Sequence, residues 1–367
     1  MGSRHSKIQL KKQKGAAAII FASVLLFGIG VTTIYSARVG VIEQKVTSNQ
    51  IRAKQARQAA NSGVSTAMLR IKKSQVLTHP EATLPAETIQ GVGEYITSYE
   101  TVGGDPNRLL VTINANSVDG SGLRDVQQNY KFMPYLRSVP PATMVASGDV
   151  TLSDDTVIFD NKSTKTDATI WCGKSLKKRG VNGLGVRATT AKTTSNVTGG
   201  GTTARTKANS TRLPTGDALF ESFFASTKAD VKKIAKVVTC NPKKGCNAKD
   251  VDGLSGLVWV DGDLKINGNT KKGVGQFDAT NKSPVILIVN GQFKVNHPNA
   301  LVNGMVYVIG DWNNAGGKGG KVKGSVVVEG NMTASGSLIM KYNDTILSSV
   351  QDTVGLYIPI PGTWKEI

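Results

Sequence analysis

The sequence predicts an α+β chain: one long N-terminal helix, a small antiparallel sheet, then a mostly β head, a β-solenoid-like stack with a helical insertion. Three observations carry this. An uncharged apolar run at residues 16–37 flows without a proline into a helical pattern lasting past residue 70. Three alternating segments with turn residues between them follow at 91–133. Beyond residue 140 an apolar strand running into a glycine recurs five times, in a chain of 40 glycines and only 6% aromatic residues, a balance that favours short strands over helical bundles. At 367 residues one large or two modest domains are expected after the N-terminal element.

Residues 1–15 form a polar leader in which Arg4, Lys7, Lys11, Lys12 and Lys14 precede Gly15. No charge occurs in the next 22 residues, 16–37, which as a helix span about 33 Å and so cross a hydrocarbon core. Lysines before the span place the leader in the cytoplasm and everything after Arg38 outside it. Three readings compete. A secretory signal wants a small-x-small cleavage site after the apolar run, which Thr33-Ile34-Tyr35-Ser36-Ala37-Arg38 fits poorly. A signal anchor fits but leaves Gly15 unexplained. A leader cut at the basic-to-apolar boundary, with the apolar part retained, accounts for Gly15.

The span then becomes the amphipathic half of the same helix, residues 38–76. Val39, Ile42, Val46, Asn49, Ala53, Ala56, Ala60, Val64, Ala67 and Ile71 step by three or four along one stripe. Glu43, Lys45, Arg52, Lys54, Arg57 and Arg70 stay off it. Small residues in the stripe permit close approach of a helix or sheet, and Gly28 and Gly30 allow close packing or local unwinding.

Residues 13–69 resemble the N-terminal region of PilX-type minor pilins of type IV pili. The resemblance lies in the basic leader ending at Gly15, the Ala-rich start of the apolar run, the helical turn at 43–49, and Arg57-Gln58-Ala59-Ala60-Asn61-Ser62-Gly63. It implies cleavage by prepilin peptidase between Gly15 and Ala16, with Ala16 the new, methylated terminus. Major pilins carry Glu at the fifth mature position, where this chain has Ile20. The resemblance then implies a subunit at or near the filament tip, since Ile20 cannot pair with a neighbour's amino terminus.

Residues 94–101, 108–115 and 123–132 alternate like strands, with Asp105-Pro106-Asn107 and Asp119-Gly120-Ser121-Gly122 as turns. A sheet over residues 90–135, packed on the helix, is expected. The head is placed at 140–340. Its repeat reads at Met144-Val145-Ala146-Ser147-Gly148, Val258-Trp259-Val260-Asp261-Gly262, Ile288-Val289-Asn290-Gly291, Val308-Ile309-Gly310 and Val328-Glu329-Gly330; the last four glycines are spaced 29, 19 and 20 residues apart. Such spacing suits solenoid rungs; an irregular β-sandwich is the alternative. An insertion at 172–250 holds a Thr/Ser/Gly/Lys-rich loop at 180–215 and a helix carrying Leu219, Phe220, Phe223, Phe224, Val231 and Ile234, read as a cap on the open end of the stack. Residues 341–367 form the C-terminal segment; its Pro361-Gly362-Thr363-Trp364 ending also resembles PilX-like proteins.

In an oxidising compartment Cys240 and Cys246 suit a local disulfide across Pro242 and Gly245, with Cys172 to either as the rival pairing. His5, His79 and His297 are scattered, so no metal site is expected. Asp261-Gly262-Asp263 with Asn267 and Asn269 lacks a calcium loop's closing Glu and reads as turn chemistry. No nucleophile elbow, Cys-His pair or phosphate-cradling loop occurs; the chain is read as no enzyme, with no cofactor. The net charge of +19 fits a solvated surface near anionic lipid, and a DNA site using Lys174, Lys177, Lys178 and Arg179 is the sharper alternative.

The expectation is a minor pilin in the inner membrane, its head periplasmic, later at the pilus tip. Its expected partners are other minor pilins, the major pilin, a large tip adhesin and prepilin peptidase, in support of adhesion, twitching motility or DNA uptake. A tip pseudopilin of a type II secretion system, a DNA-binding competence pilin and an anchored periplasmic enzyme are the alternatives.

Overall fold

In the computed structural model, helix α1 runs unbroken over Ser6–Lys73, as a proline-free sequence rich in good helix formers allows. The structure describes residues 6–73, 82–83, 85–153, 158–161, 169–178, 185–190, 193–196, 206–207, 213–270, 273–278 and 282–367. Most of the predicted loop at 180–215 lies outside the described residues.

From Ala56 onward, α1 lies against an antiparallel sheet of Gly93–Val102, Asp105–Ser117 and Leu123–Pro134. Ala59, Ala60, Ala67 and Ile71 share a core with Tyr95, Leu109, Ile113, Tyr130 and Phe132. The small residues make this approach possible: a Cβ on Gly63 would sit 2.7 Å from Ile113 Cγ2. The first turn differs from expectation. Asp105 is already in the second strand, and the reversal uses Gly103 and Gly104, at φ +63° and +75°, because two successive positive-φ residues match the twist of a hairpin.

The C-terminal residues return to the first sheet. Gly355–Pro359 pairs antiparallel with Leu123–Pro134, placing Tyr357 opposite Phe132, and Lys365–Glu366 pairs with the same strand at Gln127 and Val126. Tyr135 N–H donates to Val354 O at 3.1 Å, so the two connections to the head leave the sheet side by side. The head is an insertion within the sheet, a pairing between distant residues that no local pattern announces.

The recurring segments stack as parallel, in-register strands. One row runs Val237, Trp259, Ile288, Tyr307, Val327, Val145, Trp171. A second face runs Trp312, Met332, Val150, Leu176, and a third runs Val302, Val322, Met340, Phe159, Val186. Inside lies a core that includes Val258, Leu264, Phe293, Val306, Trp312 and Met332. The spatial order departs from the chain order. The first copy, at Met144–Ala146, stacks on the last, at 324–328. The chain therefore begins mid-stack, builds outward through Ile170–Cys172, crosses to the far end at Lys236–Thr239, and returns to its own start. Part of the predicted insertion, residues 176–178, 185–190 and 236–239, thus consists of strands belonging to the stack.

Close approach fixes the corners. Gly330 N–H donates to Gly310 O at 2.9 Å and Gly148 N–H to Gly330 O at 3.0 Å. The residue after each glycine extends a ladder: Asp311 Oδ1 accepts from Asn331 N at 2.6 Å, Asn331 Oδ1 from Asp149 N at 2.9 Å, and Asp149 Oδ1 from Ser175 N at 2.9 Å. At another corner Gly304 and Gly324 stack so closely that a Cβ on Gly324 would lie 1.9 Å from Gly304 O.

The predicted helix is two, α2 (Gly216–Phe224) and α3 (Lys228–Ile234), broken at Ala225, φ +51°, with Thr227 capping α3 through Asp230 N–H. It covers a flank rather than the end of the stack. First-face strands are apolar on both sides, with Val258 and Val260 inward and Leu257 and Trp259 outward. Phe220 and Phe224 flank outward Tyr307 with ring centroids at 5.0 and 5.6 Å. Lys228 binds Asp217 and Glu329 at 2.8 Å each, and Tyr307 Oη donates to Glu329 at 2.8 Å. Burial, and then the Glu329 charge, push the Tyr307 phenol far above its ordinary range. The short α4 (Ala248–Val251) closes the far end of the core, and α5 (Asp344–Thr353), capped by Asn343, joins α2 and α3 over the flank.

Two outcomes test this packing. Gly324→Ala, at φ +135° against the Gly304 carbonyl, is expected to destabilise the protein by about 3 kcal/mol or more in chemical denaturation. Gly120→Ala, at φ +71° with nothing within 4 Å, is expected to cost only about 1 kcal/mol. The second outcome concerns Asp149, whose carboxyl is held down to about 2 by the Ser175 N–H, the Ser175 hydroxyl and Lys177. Its unfolded value is higher, so its contribution is complete above about pH 4 and is lost as pH falls towards the folded value. Asp149→Asn is expected to lower Tm near neutral pH, by a gap that closes on acidification.

Candidate functional site on the N-terminal helix

The two halves of α1 are built alike and covered differently. Residues 15–38 are exposed throughout, Ile20 at 65% and Phe27 at 74%. Within Gly15–Ile71 an apolar window of mean hydropathy 2.3 has none of its residues buried, and the helix is long and apolar enough to cross a membrane. The stripe read from sequence is only partly used by the chain itself. Ala56, Ala60, Ala67 and Ile71 are buried, whereas Ile42, Val46 and Ala53 stay uncovered.

The hydroxyls of Ser23, Thr32 and Thr33 in the uncovered half are satisfied locally. Ser23 Oγ donates to Ile19 O at 2.9 Å and Thr33 Oγ1 to Ile29 O at 2.8 Å, so these hydroxyls need no water. Its glycines have no use within the chain. A Cβ on Gly15, Gly28, Gly30 or Gly40 would meet nothing within 4 Å, in contrast to Gly63. Small residues that the fold does not require leave a surface on which another helix can approach closely. Gly15 and Ala16 lie exposed within the continuous helix, and no acidic residue precedes Glu43 in the span.

Where the uncovered stripe ends, a groove of about 780 Å³ lies between Gly40, Thr47 and Ile51 and the tip of the hairpin loop at Val118 and Asp119. Arg52 Nε binds Asp119 Oδ2 at 2.7 Å. The hydroxyl of Ser117, then that of Ser121, the Ser121 N–H and Arg52 hold the Asp119 carboxyl well below its usual range. A Cβ on Gly122 would lie 2.8 Å from Arg52 O, so the loop rests on the helix backbone. Sequence reasoning used this loop only as a turn; its spacing of Ser117, Asp119 and Ser121 was the available signal.

Away from the helix, Cys240 and Cys246 are joined in a disulfide, Cα atoms 4.7 Å apart. Cys172 is buried on another rung, its Sγ 3.5 Å from Lys174 O. Asp261 serves Lys232 at 2.8 Å and Asn290 at 3.1 Å, and Asp263 accepts from Gln292 N at 2.8 Å; among the described residues no cluster of three His, Cys, Asp or Glu forms a metal site. The basic runs are divided: Lys177, paired with Asp149 at 3.0 Å, is on the second face of the stack, and Lys321 and Lys323 are on the third. Arg179 lies outside the described residues.

No protein-family model matches the sequence, and no curated protein matches it. Among solved structures, the competence-associated pilin ComZ from Thermus thermophilus aligns over 86% of this chain and 97% of its own, at 12% identity and a TM-score of 0.28. A superposition this loose assigns no residue a role.

The uncovered helix makes a separable prediction. Gly28→Leu and Gly40→Leu are expected to leave denaturation of the purified protein within about 0.5 kcal/mol of the parent. Both are expected to weaken helix association in a membrane-based dimerisation assay.

Proposed function

We propose that this chain is a minor pilin of a type IV pilus, incorporated at or near the filament tip. The observation that carries this reading is the contrast along α1, whose second half is packed on its own sheet while its first half is an uncovered apolar rod with unused glycines. A rod of that kind has two stable homes, a bilayer and a bundle of similar rods. Prepilin peptidase removes residues 1–15 by cutting between Gly15 and Ala16. The helix at 16–37 then passes from the inner membrane into the filament.

Ile20 sets its place. A subunit with no carboxylate there offers nothing to a neighbour's amino terminus, which suits a subunit that starts a filament. The inserted head is the part left to other minor pilins, the major pilin and a large tip adhesin, and the work is mechanical rather than catalytic. A tip pseudopilin of a secretion system shares the absent carboxylate; the large strand stack favours the pilus. DNA capture has the charge of +19 in its favour, but its lysines are divided between faces of the stack.

Exposure of the full chain to prepilin peptidase, followed by N-terminal sequencing, tests the reading. The expected first residue is Ala16, and Gly15→Trp is expected to leave the leader attached. A leader intact in the working protein, or a first residue beyond Arg38, overturns the proposal.

A further inference from the structure

The far end of the strand stack closes its core and, among the described residues, leaves its backbone open. The disulfide, with buried Ala248 and Val251, seals the interior. Strand Lys236–Thr239 pairs in parallel with Gly256–Asp261, and among the described residues no strand takes its other edge. Cys240 N–H donates to Asp261 O at 3.4 Å. Main-chain groups alternate in direction along a strand, so Val238 also faces the sheet, and Val237 and Thr239 hold their N–H and C=O groups outward. Lys236, Val237 and Thr239 are exposed.

Lysines outnumber acids around this edge. Lys232, Lys233, Lys236, Lys243, Lys244, Lys249 and Lys265 gather at this end of the chain's fold. The acids nearby are engaged: Asp230 by Lys233 at 2.9 Å, Asp261 by Lys232 at 2.8 Å, and Asp250 by Asn247 N at 2.7 Å. Among the described residues Lys236, Lys243 and Lys244 form no ion pair. A hollow of about 470 Å³ lies beside the strand's end, between the disulfide loop and the Gly262 corner; Lys243, Lys244 and Lys265 stand at its wall with Asp261, held by Lys232, and Asp263, which accepts from Gln292 N at 2.8 Å.

Lysines on an open edge repel strands that bring positive charge. A second copy of this edge is such a strand, so self-pairing is disfavoured. A strand carrying carboxylates is drawn in by the same charges. We infer that the edge Lys236–Thr239 is a docking site for an extended, acidic segment of another polypeptide, which adds to the sheet through Val237 and Thr239 and sets its carboxylates against Lys236, Lys243 and Lys244. This surface does not depend on what the N-terminal helix does, and its test succeeds or fails independently of leader cleavage.

The test uses the full chain in detergent micelles and a short fluorescent peptide of alternating glutamate and valine. The peptide is expected to bind by fluorescence anisotropy and to slow amide exchange at Val237 and Thr239. Of two versions methylated on alternate backbone nitrogens, one is expected to lose about tenfold or more in affinity and the other to keep it. Combined Lys236→Glu, Lys243→Glu and Lys244→Glu, all on the surface, are expected to cost about tenfold or more as well, with Tm unchanged; Val237→Pro, which removes an outward N–H, is expected to act in the same direction. Four results overturn the inference: no binding; equal binding by both methylated peptides, which means charge alone; binding of a short DNA duplex at these lysines without peptide binding; or exchange protection that appears only as protein concentration rises, which identifies a second copy as the occupant.

Discussion

Everything else in the molecule is attached to the contact between the small-residue face of α1 and the antiparallel sheet. Alanine and glycine carry little apolar area, so the contact gains its strength from proximity: backbone at Gly63 reaches Ile113 and Tyr95, and the larger area comes from Tyr95, Tyr130 and Phe132 on the sheet side. The same sheet receives the end of the chain at Gly355–Pro359. Both strands leading to the head are therefore locked to one platform, and a load on the head passes through two neighbouring strands into the helix.

The head obeys a second constraint, that in-register parallel strands leave no room at their corners. Glycine at 148 and 330 answers it, and the polar residue that follows each corner glycine turns the crowding into a continuous ladder through Asp311, Asn331 and Asp149. Because the chain starts mid-stack, the strand at Met144–Ala146 waits for 324–328 before its inner side is paired. A closure spanning most of the head is costly in loop entropy and slows folding. Once made, it leaves the first and last copies mutually protected instead of exposed at the two ends.

Local signals were readable and distant pairings were not. The apolar run, the stripe from Ala56 to Ile71, the three long strands and the strand-glycine repeat are periodic within a few residues, and each is present as an element of the structure. The return of Gly355–Pro359 to the sheet, and the stacking of the first copy on the last, join residues more than 180 apart with no covalent or periodic clue. The flank position of α2 and α3 has a signal in the sequence. Val258-Trp259-Val260 is apolar at consecutive positions, so both sides of its sheet need cover, and Phe220 and Phe224 supply it. At the helix, the apolar residues were legible, but the boundary between covered and uncovered stripe was not, since Ala53 and Ala56 look the same until a sheet is laid beside one of them.

That boundary decides what the uncovered half is suited to do. Lipid and a bundle of apolar helices are about equally greasy, so moving residues 16–37 from one to the other gains little from the hydrophobic effect. Specificity has to come from close contact and from single polar pairs. The close contact is available at Gly28, Gly30 and Gly40, whose faces are empty in the monomer. A polar pair is not. An unpaired carboxylate inside the hydrocarbon is costly, and that cost is recovered only when a neighbour supplies the partner. Ile20 incurs no such cost and recovers nothing, so this position is neutral between a bilayer and a helix bundle. Under the pilin reading, that neutrality belongs to a subunit that is joined by others rather than one that must itself be drawn into a growing polymer.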